Sequence, residues 1–288
     1  MMRFAKRLAL GLAAAAGLLA TTASAQFPSD WTRPTAPFKV AGNLYYVGTE
    51  GLSAWLITSS KGHILIDGGM PQNAALIEAN IRALGFRLTD VDLLLNSHAH
   101  FDHAGGLAQL KKDTGAILIA SAGDKWALEN GKYPGSETNA ALNFPPVKVD
   151  AVIADGATAA VGTSVLTANI TPGHTKGCTT WTMTLKDGAA SYRVMFFCSA
   201  TVAANRLAPN PQYPGIVADY QRTFTRLAGM RADIFLAPHP DQFNMAAKRA
   251  TMGVGKPNPF VDPTELSTTT SRLDADFKVQ LAKQTGTP

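Results

Sequence analysis

The chain has 288 residues, 46% hydrophobic and 16% charged, a globular balance that excludes a disordered or fibrous protein. Its formal charge of +5 falls to +2 once Arg3, Lys6 and Arg7 are set aside. The remaining lysines and arginines form no basic stripe, so nucleic acid is not an expected partner.

In chain order, residues 1–25 read as a secretory signal peptide. Three basic residues precede an apolar run, Leu8–Ala20, that is too short to span a membrane, and Ala23-Ser24-Ala25 offers a cleavage site before Gln26. A periplasmic location under oxidising conditions follows, with no stable membrane association. Residues 26–36 read as an irregular arm carrying Pro28, Trp31 and Pro34. Strands are expected at Leu44–Val47, Ala54–Thr58 and His63–Ile66, the last stopping at Asp67-Gly68-Gly69. The apolar spacing Ala74, Ile77, Ile81, Leu84 predicts a helix over Gln72–Leu84, ended by Gly85. The continuous run Val91–Leu95 suits a strand buried on both faces.

Helical and strand runs alternate through Leu107–Lys111, Ala116–Ala120 and Asp124–Asn130, and Gly131–Pro146 reads as a loop. Ala151–Cys198 is strand-rich and ends in a hairpin tipped by Lys186-Asp187-Gly188. A helix near Val217–Ala228, a strand at Ile234–Ala237 and two further helical stretches complete the chain. No repeat or linker divides it, and a layered α/β fold is favoured.

Six histidines occur, and five of them fall in three turn segments. His98-Ala99-His100-Phe101-Asp102-His103 directly follows the buried strand. His174 stands in Thr171-Pro172-Gly173-His174, and His239 in Pro238-His239-Pro240. His63, beside Lys61-Gly62 in an expected hairpin turn, is assigned no function. On a turn leaving a strand end, His98 and His100 can face one metal while Asp102 and His103 face another. Zinc takes about four ligands, and a catalytic site keeps one position for water. The six side chains make two sets of three: His98, His100 and His174, then Asp102, His103 and His239. Calcium and magnesium prefer oxygen shells and do not fit, whereas iron or manganese stays chemically open. The competing reading is loop histidines without metal, strongest for His174 and His239 taken singly. Each of these follows a strand-like segment, however, and carboxyl ends of strands gather the sites of α/β sheets.

The segments Ser97–Gly106 (SHAHFDHAGG), Thr171–Trp181 (TPGHTKGCTTW), Phe196–Thr201 (FFCSAT) and Ala237–Pro240 (APHP) resemble the metallo-β-lactamase superfamily. More narrowly, the chain resembles the third subclass of zinc (class B) β-lactamases, the one with a His-Asp-His second metal site. The resemblance implies a four-layer αβ/βα sandwich as one domain over residues 26–288. It also implies two Zn2+ ions on the two sets, and zinc-dependent hydrolysis of the β-lactam amide of penicillins, cephalosporins or carbapenems, giving antibiotic resistance. Asp102 would have a catalytic part, orienting the attacking water. A small-molecule substrate and a monomeric chain are expected.

The superfamily motif does not fix the substrate, and residues 196–201 narrow it. Family thioesterases and lactonases place an aspartate at this strand end to bridge both metals, and here no acid occurs. First-subclass β-lactamases place a cysteine ligand there with a lysine just beyond, and here no lysine follows until Lys248. The resemblance puts Ser199 on the ligand-facing position and implies that Ser199 and Thr201 hydrogen-bond the substrate carboxylate. Capping of the next turn is the alternative for Thr201. Cys178 and Cys198, with the hairpin tip midway between them, are then expected to form a disulfide, two buried thiols being the alternative.

A Gly-x-Ser-x-Gly elbow is absent, which argues against a serine nucleophile. Specificity is expected from Gly131–Pro146, with Tyr133 and Phe144 as apolar contacts or, alternatively, ordinary surface-loop aromatics, from the arm at Trp31, and from the wall Pro209–Pro214. The rival functions are a periplasmic lactonase or thioesterase of the same fold and a zinc-sequestering protein. The second is disfavoured because three ligands per metal leave open positions.

Overall fold

The strand Val91–Leu95 is interrupted by the exposed Asp92, but its other four residues are apolar and buried because its two faces meet different cores. In the computed structural model, which describes residues 27–286, Leu93 and Leu95 point into one core and Leu94 into the other. Neighbouring strands repeat the division, with Trp55 and Ile57 opposed to Leu56, and Ile64 and Ile66 opposed to Leu65. A sheet with two apolar faces has to lie between layers. The expected signal peptide, residues 1–25, lies outside the described residues.

The chain supplies those layers in order. Strands β1 (Phe38–Ala41), β2 (Leu44–Tyr46), β3 (Trp55–Ser59) and β4 (Gly62–Ile66) form an antiparallel meander. After helix α1 (Ala74–Ala83), β5 (Val91–Leu95) pairs in parallel with β4. Helices α2 (Phe101–Ala104) and α3 (Leu107–Thr114) lead to β6 (Ile117–Ser121), and α4 (Ala122–Asn130) leads towards β7 (Ala151–Ile153), both strands parallel additions. These seven strands make the first sheet. The second, of five strands, runs β12-β11-β10-β9-β8 and comprises β8 (Thr158–Val161), β9 (Ser164–Ile170), β10 (Thr179–Asp187), β11 (Ala190–Phe196) and β12 (Ile234–Leu236). Helix α5 (Ile216–Gly229) connects β11 to β12, and α6 (Met245–Thr251) and α7 (Glu265–Thr285) follow.

Residues of α1, α3 and α4 pack with Leu56, Leu65 and Leu94 on the outer face of the first sheet. The other core joins the inner faces of both sheets to α5 and α7. The order helix, sheet, sheet, helix is the metallo-β-lactamase fold, a four-layer αβ/βα sandwich, as expected.

Local details refine the reading. The expected helix from Gln72 begins as a 3-10 turn, Pro71–Asn73, and Gly85 (φ +85°) stops the chain after α1 as expected. His63 sits on β4, and its buried ring meets Phe86 edge-to-face. Cys178 and Cys198 form a disulfide, both buried, with Cα atoms 5.8 Å apart. Among the described residues no helix is long and apolar enough to cross a membrane.

What matters for function is where strands end. Strands β11 and β12 are parallel, and β9 is parallel to β11 because both are antiparallel to β10. The segments leaving β9, β11 and β12 therefore emerge at one end of the second sheet. Those leaving β4 and β5 meet them there, since the amide of Thr179, the first residue of β10 and paired with Ile170 at the end of β9, donates to the Ser97 carbonyl at 2.8 Å.

Helix α5 is held from outside by α7. Phe277, 2% exposed, packs on Tyr220 and Phe224 at centroid distances of 4.9 and 5.6 Å. Phe277→Ala is expected to lower the unfolding free energy by about 3–5 kcal/mol, measured by urea denaturation; a loss below about 1 kcal/mol would show that α7 does not brace this layer.

Candidate metal centre

Two buried aspartates shape the histidine-rich turn. Asp67 follows β4 directly in the left-handed region (φ +64°), which turns its carboxylate back under β5. There it accepts the Ser97 amide at 2.7 Å and the Asn96 side-chain amide at 3.0 Å. Asp124, on α4, accepts from the Ala99 amide (2.9 Å), the Thr175 hydroxyl (2.8 Å) and the Gly177 amide (2.9 Å). One carboxylate thereby ties the His98–His103 segment to the segment of His174. The His100 carbonyl receives the amides of His103 and Ala104, which starts α2 and brings Asp102 and His103 onto its first turn. Gly106 lets this turn press on the segment leaving β4, since a Cβ there would lie 2.3 Å from the Gly68 carbonyl oxygen.

A second bracket holds His174. The Thr201 carbonyl accepts both His174 Nδ1–H and the Tyr220 hydroxyl at 2.8 Å, while Asn205 Nδ2 donates to the His174 carbonyl at 2.9 Å. Gly173 (φ +134°) makes room for Tyr220, whose ring would lie 2.8 Å from a Cβ at that position. His239 leaves β12 through Pro238, whose carbonyl accepts the Ser53 amide at 2.8 Å.

Six side chains converge as the spacing suggested. His98, His100 and His174 form one group, and Asp102, His103 and His239 another, each with ligand-type atoms all within 4.8 Å of one another. His98 Nε2 and His174 Nε2 are 3.2 Å apart. Asp102 Oδ2 lies 3.2 Å from His103 Nε2 and 3.5 Å from His239 Nε2, and these two nitrogens are 3.3 Å apart. The rings of His98 and His103, 4.5 Å between centroids, bring the groups side by side.

The proton positions favour a cation. A carbonyl only accepts, so His174 carries its proton on Nδ1 and leaves the Nε2 lone pair aimed into the group. His100 donates Nε2–H to the Pro134 carbonyl at 3.1 Å, which leaves Nδ1 as its lone-pair nitrogen. Burial, aided by the neighbouring imidazoles, keeps His98 and His100 well below the ordinary histidine range and pushes His174 and His239 down to about 4. Neutral imidazole is the state that binds metal. Burial opposes ionisation of Asp102 as well, but His103 beside it outweighs that and holds the carboxyl below its usual range. The buried Nδ1 of His103 has no hydrogen-bond partner among the described residues. This donor set, nitrogen-rich with one carboxylate, suits zinc.

Around the groups, Ser199 Oγ and Thr201 Oγ1 are 3.3 Å apart, and Thr201 Oγ1 is 3.1 Å from His174 Nδ1. Tyr133 stacks on His100, and Trp31 lies 5.4 Å from His239 between centroids. Phe144, expected as a cleft contact, is instead 5% exposed in the outer core with Leu128 and Val147, because its amide bonds Gly131 and turns it inward. Two clefts border the site, one of about 720 Å³ along Trp31, His239 and Asp241, the other of about 580 Å³ along Thr201, Asp241 and Thr268. Another cavity, of about 1180 Å³, opens at the opposite end of the sandwich among Asn43, Thr58 and Lys186, away from these side chains.

Sequence reasoning missed Asp124, Asn205 and Tyr220. Asp67 had a signal, an acid followed by two glycines at a strand end, whereas Asp124 sits in an ordinary helix start. Asp124→Ala strands the amides of Ala99 and Gly177. We expect unfolding free energy to fall by about 2 kcal/mol and metal affinity by roughly tenfold or more, read by denaturation and chelator competition. Unchanged affinity would mean that the two segments hold their geometry without it.

Comparison with known proteins agrees with this geometry. The family described as the Metallo-beta-lactamase superfamily matches residues 47–239. BJP-1, a subclass B3 metallo-beta-lactamase of Bradyrhizobium japonicum, is 51% identical, with a TM-score of 0.87 over 90% of this chain and 98% of that one. Native FEZ-1 from Legionella gormanii is 40% identical, with a TM-score of 0.86 over 90% and 99%. LRA-12, described as a class B3 di-zinc metallo-beta-lactamase from an Alaskan soil metagenome, is 34% identical, with a TM-score of 0.84 over 88% and 97%. Among curated sequences, a hydroxyacylglutathione hydrolase of Rhodospirillum rubrum is 32% identical over 107 residues, 37% of this chain and 34% of that protein. The match covers 34% of that relative's length, and 57% of the length of a hydroxyacylglutathione hydrolase of Methylococcus capsulatus that is 28% identical over 176 residues. With the fold, the two side-chain groups and these full-length structural likenesses together, the chain belongs to the metallo-β-lactamase superfamily, among the hydrolases of its subclass B3.

Proposed function

We propose that this protein hydrolyses the amide bond of β-lactam antibiotics with two zinc ions, and so confers resistance on its host. The observation that carries the reading is the pair of adjacent three-ligand groups, each short of a full zinc shell by at least one position. His98, His100 and His174 would hold one ion, and Asp102, His103 and His239 the other. Zinc bound there supplies Lewis acidity and lowers the pKa of water to about 7.

The chain's own residues divide the remaining work. Asp102, which must be a carboxylate to serve as a ligand, would accept a hydrogen bond from the attacking water and aim it. The Ser199 and Thr201 hydroxyls donate to the substrate carboxylate on the His174 side. His174 itself is fixed by the Thr201 carbonyl, so that substrate and ligand share one rigid strand end. Ser199 is not the nucleophile in this reading: its hydroxyl meets Thr201, and among the described residues no imidazole hydrogen-bonds it to act as a base.

An ester or thioester substrate is the second reading, supported by the likeness to the hydroxyacylglutathione hydrolase. Against it stands the end of β11, where Cys198 is engaged in the disulfide and Ser199 stands in place of an acid. Export to the periplasm is supported by residues 1–25 and by the oxidised cysteine pair.

Two experiments test this. Carbapenem and penicillin turnover by the mature protein should vanish on chelation and return with zinc; turnover of thioesters but not of any β-lactam would overturn the assignment. The double variant Ser199→Ala, Thr201→Ala should raise KM about tenfold or more, with a smaller change in kcat, because two hydrogen bonds to a carboxylate are lost. An unchanged KM would remove these hydroxyls from substrate binding.

A further inference from the structure

One loop grips His100 from two directions. The Tyr133 ring lies 3.8 Å from the imidazole, centroid to centroid, with 5° between the planes. The next residue supplies the Pro134 carbonyl that takes the Nε2 proton at 3.1 Å. The first contact sets the plane of the ring, and the second sets which nitrogen keeps a lone pair. The other candidate ligands meet rings only at wide angles: His98 to His174 at 77°, His103 to His239 at 88° and His239 to Trp31 at 44°. A flush aromatic partner belongs to His100 alone among the described candidate ligands.

The loop is itself anchored across the cleft. Glu137 accepts from the Gly135 amide and from Gln212 Nε2, both at 3.0 Å, which ties residues 131–146 to the proline-rich wall at 209–214. Gly135 also abuts Asn205, whose side chain holds the His174 carbonyl. The seat of the loop is therefore shared with two members of one ligand group, His100 and His174. Asp102, His103 and His239 receive no hydrogen bond from it among the described residues.

We propose that Tyr133, acting with the Pro134 carbonyl, is a positioning residue for the first metal: it holds the plane and tautomer of His100, so that metal affinity at His98, His100 and His174 depends on how the loop is seated, whereas affinity at Asp102, His103 and His239 does not. The inference rests on the two-metal reading above. Its magnitude follows from groups that orient a metal-bound histidine, whose loss typically costs about 10–100-fold in affinity.

The test is zinc affinity by chelator competition on the mature protein and its variants. Tyr133→Ala should weaken one of two zincs about tenfold or more. The same loss should appear in the Asp102→Asn, His239→Ala background, which keeps only the first group, and not in the His98→Ala, His174→Ala background, which keeps only the second. Tyr133→Phe, which preserves the stacked ring, should stay within about threefold of the parent, well short of that loss. Equal affinities in Tyr133→Ala and the parent would overturn the proposal, as would equal weakening of both groups. A parent protein that takes up no zinc would instead bring down the two-metal reading itself, and the proposal with it.

Discussion

Neutral imidazole, buried and crowded nitrogen against nitrogen, is the constraint on which the rest of this structure depends. His98 Nε2 and His174 Nε2 approach to 3.2 Å, and His103 Nε2 and His239 Nε2 to 3.3 Å. Burial strips the proton from His98, His100, His174 and His239, and so converts each of those side chains from a charged donor into a ligand. A cluster of this kind has little to recommend it as packing, because polar atoms out of water need partners. A divalent cation supplies that partner for several of them at once.

Holding such a cluster takes a scaffold that fixes ring orientation without adding mobile charge. Carbonyls do so for His174 (Thr201) and His100 (Pro134), and buried carboxylates do so at one remove, with Asp67 under the Asn96-Ser97 turn and Asp124 between two ligand segments. Burial pushes Asp124 up to about 6 even with three donors around it, a sign of how dry the base of the site is. The sandwich makes this possible by delivering five strand ends to one edge. Loops that would otherwise wander are cross-tied there, Thr179 to Ser97 and Ser53 to Pro238.

Much of this was legible in the sequence, and the reasons are physical. Val91–Leu95 reads as a two-faced strand because the successive Leu93, Leu94 and Leu95 demand burial on both faces, with Asp92 the one polar residue, and its carboxyl end leads to His98. The ligand groups could be read because His and Asp clustered at turns have few uses other than metal. The disulfide partners were legible from the hairpin tip, although pairing of the thiols was not distinguishable from burial of both. Asp124 and Tyr220 were not legible, since their partners, backbone groups together with the Thr175 hydroxyl and the Asn205 amide, are brought near only by the packing of α4 and α5. Phe144 was misread for a related reason: an aromatic residue in a loop declares its area but not its direction, and here the Gly131 contact turns it into the core. Tyr133, from the same loop, turns the other way.

Zinc K-edge X-ray absorption on the mature protein, combined with its metal content, tests the central claim most directly. Two zincs per chain in shells of nitrogen and oxygen only, at about 2.0–2.1 Å, is the predicted result. A sulfur scatterer at about 2.3 Å, or a single zinc that stays single in excess metal, would contradict it.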